Sequence, residues 1–288
     1  MTSAMLGIVG VGNMGGAMAL RLRDLGHAVA VRDIDPAAEA AAAAAGAVVC
    51  ATPAALAARC ELVIVAVVDA AQTNAVLFGA DGVAQGLPAG GTVMLCPTLA
   101  PDTVEAAAHG LGQRGQHCID APMSGGPARA RDGTMSLMVA CHDAAWSRWQ
   151  PLLGQLAARL FRVGHRLGDG ARTKLVNNLL AAINLAGAAE ALRLAEALGL
   201  DPACTLDVIE QSSGQSWIGS DRARRVLAGD TAPRAHMRLL AKDSGLAMAA
   251  AAAAGQALPL GAVAAQAFAD ACRQGLADAD DAALWRRP

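Results

Sequence analysis

The chain has 288 residues, enough for two domains or one large one with an ample core, and a formal charge of −2 with no run of Lys or Arg. That balance leaves no basic patch for nucleic acid and excludes a nucleic-acid partner. Hydrophobic residues make up 54% of the chain, but Ala and Gly supply much of this, which describes a packed soluble protein and excludes a membrane partner.

The N-terminus passes directly into a strand, without a basic segment and cleavage site. The seven cysteines are scattered and never spaced as Cys-x-x-Cys, so neither disulfides nor a metal site is expected, and a cytoplasmic location fits. A strand over 5–9 runs into Gly10-Val-Gly12-Asn13-Met14-Gly15, and the helical periodicity of 17–25 follows. A second strand over 28–33 ends in Asp33, 21 residues after Gly12. Each part has a physical reason. Gly10 permits the tight turn, Gly12 lets backbone approach a pyrophosphate, Gly15 lets helix and strand pack closely, and the helix N-terminus faces the negative charge. Together they predict a dinucleotide site with Gly10, Gly12, Asn13, Met14, Gly15 and Asp33 as cofactor-binding residues.

A carboxylate at Asp33 accepts hydrogen bonds from ribose hydroxyls and repels a 2′-phosphate. The next residue is Ile34 rather than arginine, and strand alternation sends Arg32 to the other face. NAD is therefore expected, with NADP as the alternative.

Helices around 36–45, 72–77 and 101–111 alternate with strands over 62–68, 92–95 and 117–120, which predicts a mainly parallel, doubly wound sheet of the Rossmann type. Past Asp120 comes Ala-Pro-Met-Ser124-Gly125-Gly126. A hydroxyl followed by two glycines exposes backbone N–H groups, suited either to a small carboxylate or to an ordinary loop. Strands over 134–139 and 160–163 flank a helix over 143–153.

Beyond Gly164 everything reads as helix: 171–198, 202–211, 219–227, 237–254 and 260–274. The expected architecture is an α/β dinucleotide domain over 1–163 followed by an all-α domain over 164–288, linked by a long interdomain helix. That helix carries no formal charge from Leu175 to Ala189 and is apolar on nearly every face, so it is expected to be buried. Its first turns hold Lys174 with Asn178 four residues on and Asn177 three on, stacked on one face. A lysine and two amides at a buried helix end are costly unless used, although Lys174 snorkelling to water is the plain alternative.

These segments together resemble the β-hydroxyacid dehydrogenase family over essentially the whole length. The resemblance is carried by Gly10-Val-Gly-Asn-Met-Gly15, by Asp120-Ala-Pro-Met-Ser-Gly-Gly126 with Gly133-Thr-Met, by Gly168-Asp-Gly-Ala-Arg-Thr-Lys-Leu-Val-Asn-Asn178, and by Lys242-Asp243. It implies that Ser124, Gly125 and Gly126 hold a substrate carboxylate, that Lys174 is the catalytic acid/base with Asn178 orienting substrate, that Lys242 lies near the cofactor, and that Thr98 touches the nicotinamide ribose. Leu95-Cys-Pro-Thr98 and Val67-Val68 depart from the common family pattern on the cofactor side. Ser212-Ser-Gly-Gln-Ser-Trp217 resembles 3-hydroxyisobutyrate dehydrogenases, whereas Ala71-Gln-Thr-Asn-Ala-Val-Leu-Phe-Gly79 and Val93-Met-Leu-Cys96 are similar to threonate-type sugar-acid dehydrogenases. An imine reductase, a 6-phosphogluconate-type enzyme and a non-catalytic dinucleotide-binding protein are rivals on the same fold, and the first usually replaces the lysine.

The implied reaction moves a hydride between a small hydroxy acid and nicotinamide, with a base within about 3 Å of the hydroxyl. Lowering a lysine from about 10.4 to about 8 takes roughly 3 kcal/mol, expected from burial beside Leu175 and Val176 and from like charge on Arg172 and Lys242. Substrate is expected to be enclosed at the domain junction. Trp217, in a loop between helices, is a substrate-binding candidate as a pocket wall, or else packs in the helical core. So long an apolar helix also predicts a homodimer or homotetramer through the α domain.

Overall fold

The computed structural model describes residues 5–286. They divide into two compact units after Lys174. The first unit opens with β1 (Met5–Val9), α1 (Asn13–Asp24), β2 (Val29–Arg32), α2 (Pro36–Ala44), β3 (Val48–Val49), α3 (Pro53–Ala57) and β4 (Cys60–Val65). It continues with α4 (Ala70–Phe78), α5 (Val83–Gly86), β5 (Thr92–Leu95), α6 (Pro101–Gly112), β6 (His117–Asp120) and β7 (Met123–Ser124). The last pieces are α7 (Gly126–Asp132), β8 (Met135–Ala140), α8 (Asp143–Leu156) and β9 (Ala157–Gly164).

The strands lie in the order β3-β2-β1-β4-β5-β6-β8-β7, with β9 paired to β8. Strands β1 to β6 run parallel, β8 is antiparallel to β6, and β9 is parallel to β8. Side-chain alternation fills a core on each face. Leu62 and Ile64 of β4 join Met18 and Leu22 of α1 and Leu153 of α8 on one side, and Val63 and Val65 join Leu77, Val104 and Leu111 on the other. The order reverses between β1 and β4, and the Gly10 turn leaves the C-terminal end of β1 at that reversal, where ligands bind in such sheets.

α9 (Asp169–Ala197) crosses the division after Lys174, because its first turn packs with the sheet: Ala171 belongs to the second of those cores. The helical unit adds α10 (Pro202–Glu210), α11 (Trp217–Leu227), α12 (Met237–Ala253), α13 (Pro259–Ala271), a π-helical stretch Cys272–Leu276 and a 3-10 turn Asp281–Arg286. Proline in the first turn of α10 and α13, and the Asp201 and Ser216 side chains capping α10 and α11, start these helices where local chemistry dictates. Ala182, Leu185, Ala189 and Leu192 of α9 pack in one core with Leu240, Phe268 and Trp285.

Two expectations are corrected. α9 is not buried all round: Val176 is 71% exposed, Leu180 57% and Leu194 60%. The helices of the unit cover only the face that holds Ala182 and Leu185. By length and composition α9 would suffice to cross a membrane, but its Ala182, Leu185, Ala189 and Leu192 are buried in that core. Trp217 lies neither in a loop nor in the helical core; it is the first residue of α11, after the Ser216 cap, and is 55% exposed.

Candidate active site

The glycine turn has the geometry that a dinucleotide requires. Gly10 has φ +89°, and a Cβ at Gly15 would stand 1.9 Å from the Gly10 carbonyl oxygen, so the helix meets the strand where only glycine fits. At Gly12 nothing lies within 4 Å of the place a Cβ would take. Gly12 also caps α1 without a side-chain hydrogen bond, so Asn13 and Met14 begin a helix whose first N–H groups meet no capping side chain. Asp33 follows β2 and braces this turn: Val11 N donates to its Oδ2 at 2.5 Å, and Asp35 N to its Oδ1 at 2.9 Å. Arg32 turns away to pair with Glu39 of α2 at 2.7 Å, and Glu39 also accepts from Asp33 N at 3.0 Å. Sequence reading did not find Glu39, whose only signal is its place one turn into the next helix. Thr98 is half-buried just past β5.

Past β6 the chain turns through Ser124 into Gly125 (φ +129°) and Gly126 (φ +76°), two consecutive backbones that only glycine adopts without strain. A Cβ at Gly126 would meet nothing within 4 Å. These residues run directly into the short helix α7, ended by Gly133 at φ +73°.

Asp120 closes β6 and is 1% exposed. Its Oδ2 accepts from Gly168 N at 2.9 Å and Ala171 N at 3.0 Å, the entry to α9. Burial raises the carboxyl to about 6, against the pull of the Ala171, Gly168 and Gly170 N–H groups. One turn further, Lys174 is 8% exposed and Leu175 2%. Two sources named for tuning the lysine are different in the structure: Val176 faces solvent, and Arg172 is paired with Glu105 at 2.6 Å and Asp169 at 3.1 Å, which offsets its like charge.

In the helical unit, Asn178 donates through Nδ2 to Asp243 Oδ2 at 2.6 Å and accepts from Asn177 Nδ2 at 3.0 Å. Asp243, 7% exposed, has its other oxygen 2.7 Å from Lys242 Nζ, so Lys242 too carries a paired rather than a bare charge. The carboxylate thus fixes which way the Asn178 amide points. Sequence reading quoted Lys242-Asp243 as a motif without seeing this role, since the partners lie 65 residues apart.

Two family models cover the chain. One describes the NAD-binding domain of 6-phosphogluconate dehydrogenase and matches residues 5–164; the other describes the NAD-binding of NADP-dependent 3-hydroxyisobutyrate dehydrogenase and matches 168–287. L-threonate dehydrogenase of Cupriavidus necator is 38% identical over 97% of this chain and 94% of its own length. The chain belongs to the β-hydroxyacid dehydrogenase family. 3-Hydroxyisobutyrate dehydrogenase of Pseudomonas aeruginosa, another relative, is 34% identical over 94% of this chain and 95% of its own. A crystal structure of 3-hydroxyisobutyrate dehydrogenase from Salmonella typhimurium superposes with a TM-score of 0.90 at 33% identity, covering 98% of this chain and 99% of that one. As a β-hydroxyacid dehydrogenase the protein is an NAD(P)-dependent oxidoreductase that acts on the CH–OH group of a small hydroxy acid.

Proposed function

We propose that Lys174 is the general acid/base of this dehydrogenase, that Asn178 orients the substrate beside it, and that Ser124, Gly125 and Gly126 receive the substrate carboxylate. The observation that carries this reading is a lysine 8% exposed at the head of α9, with an amide one turn on whose orientation is fixed by a buried carboxylate. Such polar groups are costly in a helix that otherwise packs by Leu and Ala, and they persist where chemistry uses them. When bound, the nicotinamide accepts or returns the hydride. In oxidation Lys174 takes the hydroxyl proton as a neutral amine, and in reduction it gives that proton back as ammonium.

On the cofactor side, Gly10, Gly12, Asn13, Met14 and Gly15 would hold the pyrophosphate, Asp33 the adenosine ribose, and Thr98 and Lys242 the nicotinamide end. NAD is the preferred cofactor in this reading, because a carboxylate at Asp33 repels a 2′-phosphate. The functional division is 1–163 for cofactor and 164–288 for substrate selection and assembly, and the location is cytoplasmic. The exposed Val176, Leu180 and Leu194 stripe on α9 supports a homodimer or homotetramer with that stripe covered, and light scattering at micromolar concentration tests it against a monomer.

The substrate is a four-carbon hydroxy acid. L-threonate dehydrogenases at 32–38% identity favour a sugar acid of the threonate kind. The Ser212 to Trp217 segment favours 3-hydroxyisobutyrate as the second reading. Turnover of threonate, erythronate, 3-hydroxyisobutyrate, glycerate and serine with NAD and with NADP separates them, and no oxidation of any of the five would contradict the proposal.

A further inference from the structure

The reading of Lys174 as acid/base leaves open what holds its helix in place. We propose that Asp120 is a positioning residue: its buried carboxylate grips the Gly168 and Ala171 amides and so fixes the first turn of α9 and the Lys174 side chain that it carries. This rests on the proposed role of Lys174.

The grip starts from a rigid place. Asp120 is the last residue of β6, pairs there with Ala140 of β8, and is followed directly by the chain to Ser124. It therefore ties the start of α9 to the strand that leads into the carboxylate cradle. Gly168 reaches it only at φ +94°, and a Cβ at Gly170 would lie 2.7 Å from the Met138 carbonyl oxygen and 2.9 Å from Asp120 Oδ1. The helix end is thus pressed against the sheet with no slack for a side chain. Ala171 and Lys174 are three residues apart and share a helix face, so the amide that Asp120 holds sits one turn beneath the lysine. A negative group at the N-terminus of a 29-residue helix is favoured by the helix dipole.

The hydrogen bonds that Asp120 accepts come from the backbone N–H groups of Gly168, Gly170 and Ala171. The titratable groups that face it are Asp169 of α9 and the thiols of Cys96, Cys118 and Cys141, which burial pushes upward and leaves neutral. A carboxylate so placed opposes stability at neutral pH, since burial has raised its pKa. A role confined to folding would be better served by a neutral side chain. Protonation near pH 6 weakens the grip without unfolding the chain.

Asp120→Asn and Asp120→Ala test this beside Lys174→Ala, with threonate and 3-hydroxyisobutyrate as probes. We expect kcat to fall about 10-fold in Asp120→Asn and about 100-fold in Asp120→Ala, with KM for NAD unchanged and the melting temperature at pH 8 equal or higher for Asp120→Asn. Hydrogen exchange of residues 166–174, corrected for intrinsic rates, needs no substrate. Protection in the unaltered protein should drop as pH falls through about 6, and should be low and independent of pH in Asp120→Asn. If Lys174→Ala is inactive while both Asp120 variants keep kcat within twofold, or if 166–174 stays protected in them, the positioning role is wrong and the lysine stands. Near-normal turnover of Lys174→Ala sinks the reading beneath it. A kcat loss that only tracks a loss of folded protein also overturns the proposal.

Discussion

Three buried carboxylates, one in the α/β unit and two in the helical unit, respond to burial in different ways. Asp120 accepts backbone N–H groups, and burial raises its pKa to about 6. Asp281 is gripped by Arg222 at 2.5 and 3.2 Å, and burial still raises it. Asp280 has both kinds of partner: the N–H groups of Arg234, Ala235 and Ala282, and the Arg225 guanidinium at 3.2 Å. Burial opposes its ionisation, but these partners together win and its pKa falls. Asp280 is the less deeply desolvated of the three and has both amides and a guanidinium, whereas Asp281 is also raised by the neighbouring Asp280 carboxylate. The helical unit has built a permanent ionic anchor for its C-terminal turn. The α/β unit keeps a titratable carboxylate beside the helix of Lys174.

The largest effect should come from breaking the combination. Arg225→Ala leaves Asp280 buried with amides only, like Asp120, and is expected to cost about 3–5 kcal/mol in urea unfolding. Adding Asp280→Ala should recover part of the loss, and equal stability of the single variant and the unaltered protein would refute the contrast. The pH dependences should have opposite signs. The folded-state pKa of Asp280 is depressed, so its stabilisation is present above the unfolded value near 3.9 and is lost as pH falls. For Asp120 the folded value is raised, so stability declines as pH climbs from about 4 to about 6, by an amount on the order of 3 kcal/mol. Melting curves of Asp120→Asn against pH should lack that decline.

A fourth carboxylate sharpens the comparison. Asp33 also accepts only backbone N–H groups, but it is half-exposed at the glycine turn. Asp33→Ala should weaken NAD by about 10- to 100-fold, the worth of a charged hydrogen bond, and NADP much less. Equal weakening of both would mean that Asp33 only braces Val11. A preference of the unaltered protein for NADP would overturn the NAD assignment. Smallest should be Trp217→Ala. With 55% of the residue exposed, stability should change by less than about 1 kcal/mol, and a pocket wall would show as an altered KM for the hydroxy acid.

What was legible in the sequence was local. Gly10 to Gly15, the alternating strands and the prolines and caps of the helices carry their reasons within a few residues, and the doubly wound sheet and helical second unit followed from them. Short elements such as β3 and α7 escaped because two to seven residues form structure there through tertiary contact, not periodicity. The exposed face of α9 escaped because an apolar stripe does not say what covers it. Trp217 was misplaced although Ser216 is a good cap, since a glycine two residues later reads as a turn. The Asp120 and Asp243 contacts span 48 to 65 residues, and no spacing rule reaches that far.

The central claim, a hydroxy-acid dehydrogenase worked by one lysine, is tested most directly by steady-state turnover of Lys174→Ala alongside its NAD affinity. The account predicts kcat lowered by about 10²–10⁴ with cofactor binding near normal, and no rescue by Lys174→Arg, whose guanidinium holds its proton. Turnover of Lys174→Ala close to that of the unaltered enzyme would contradict it.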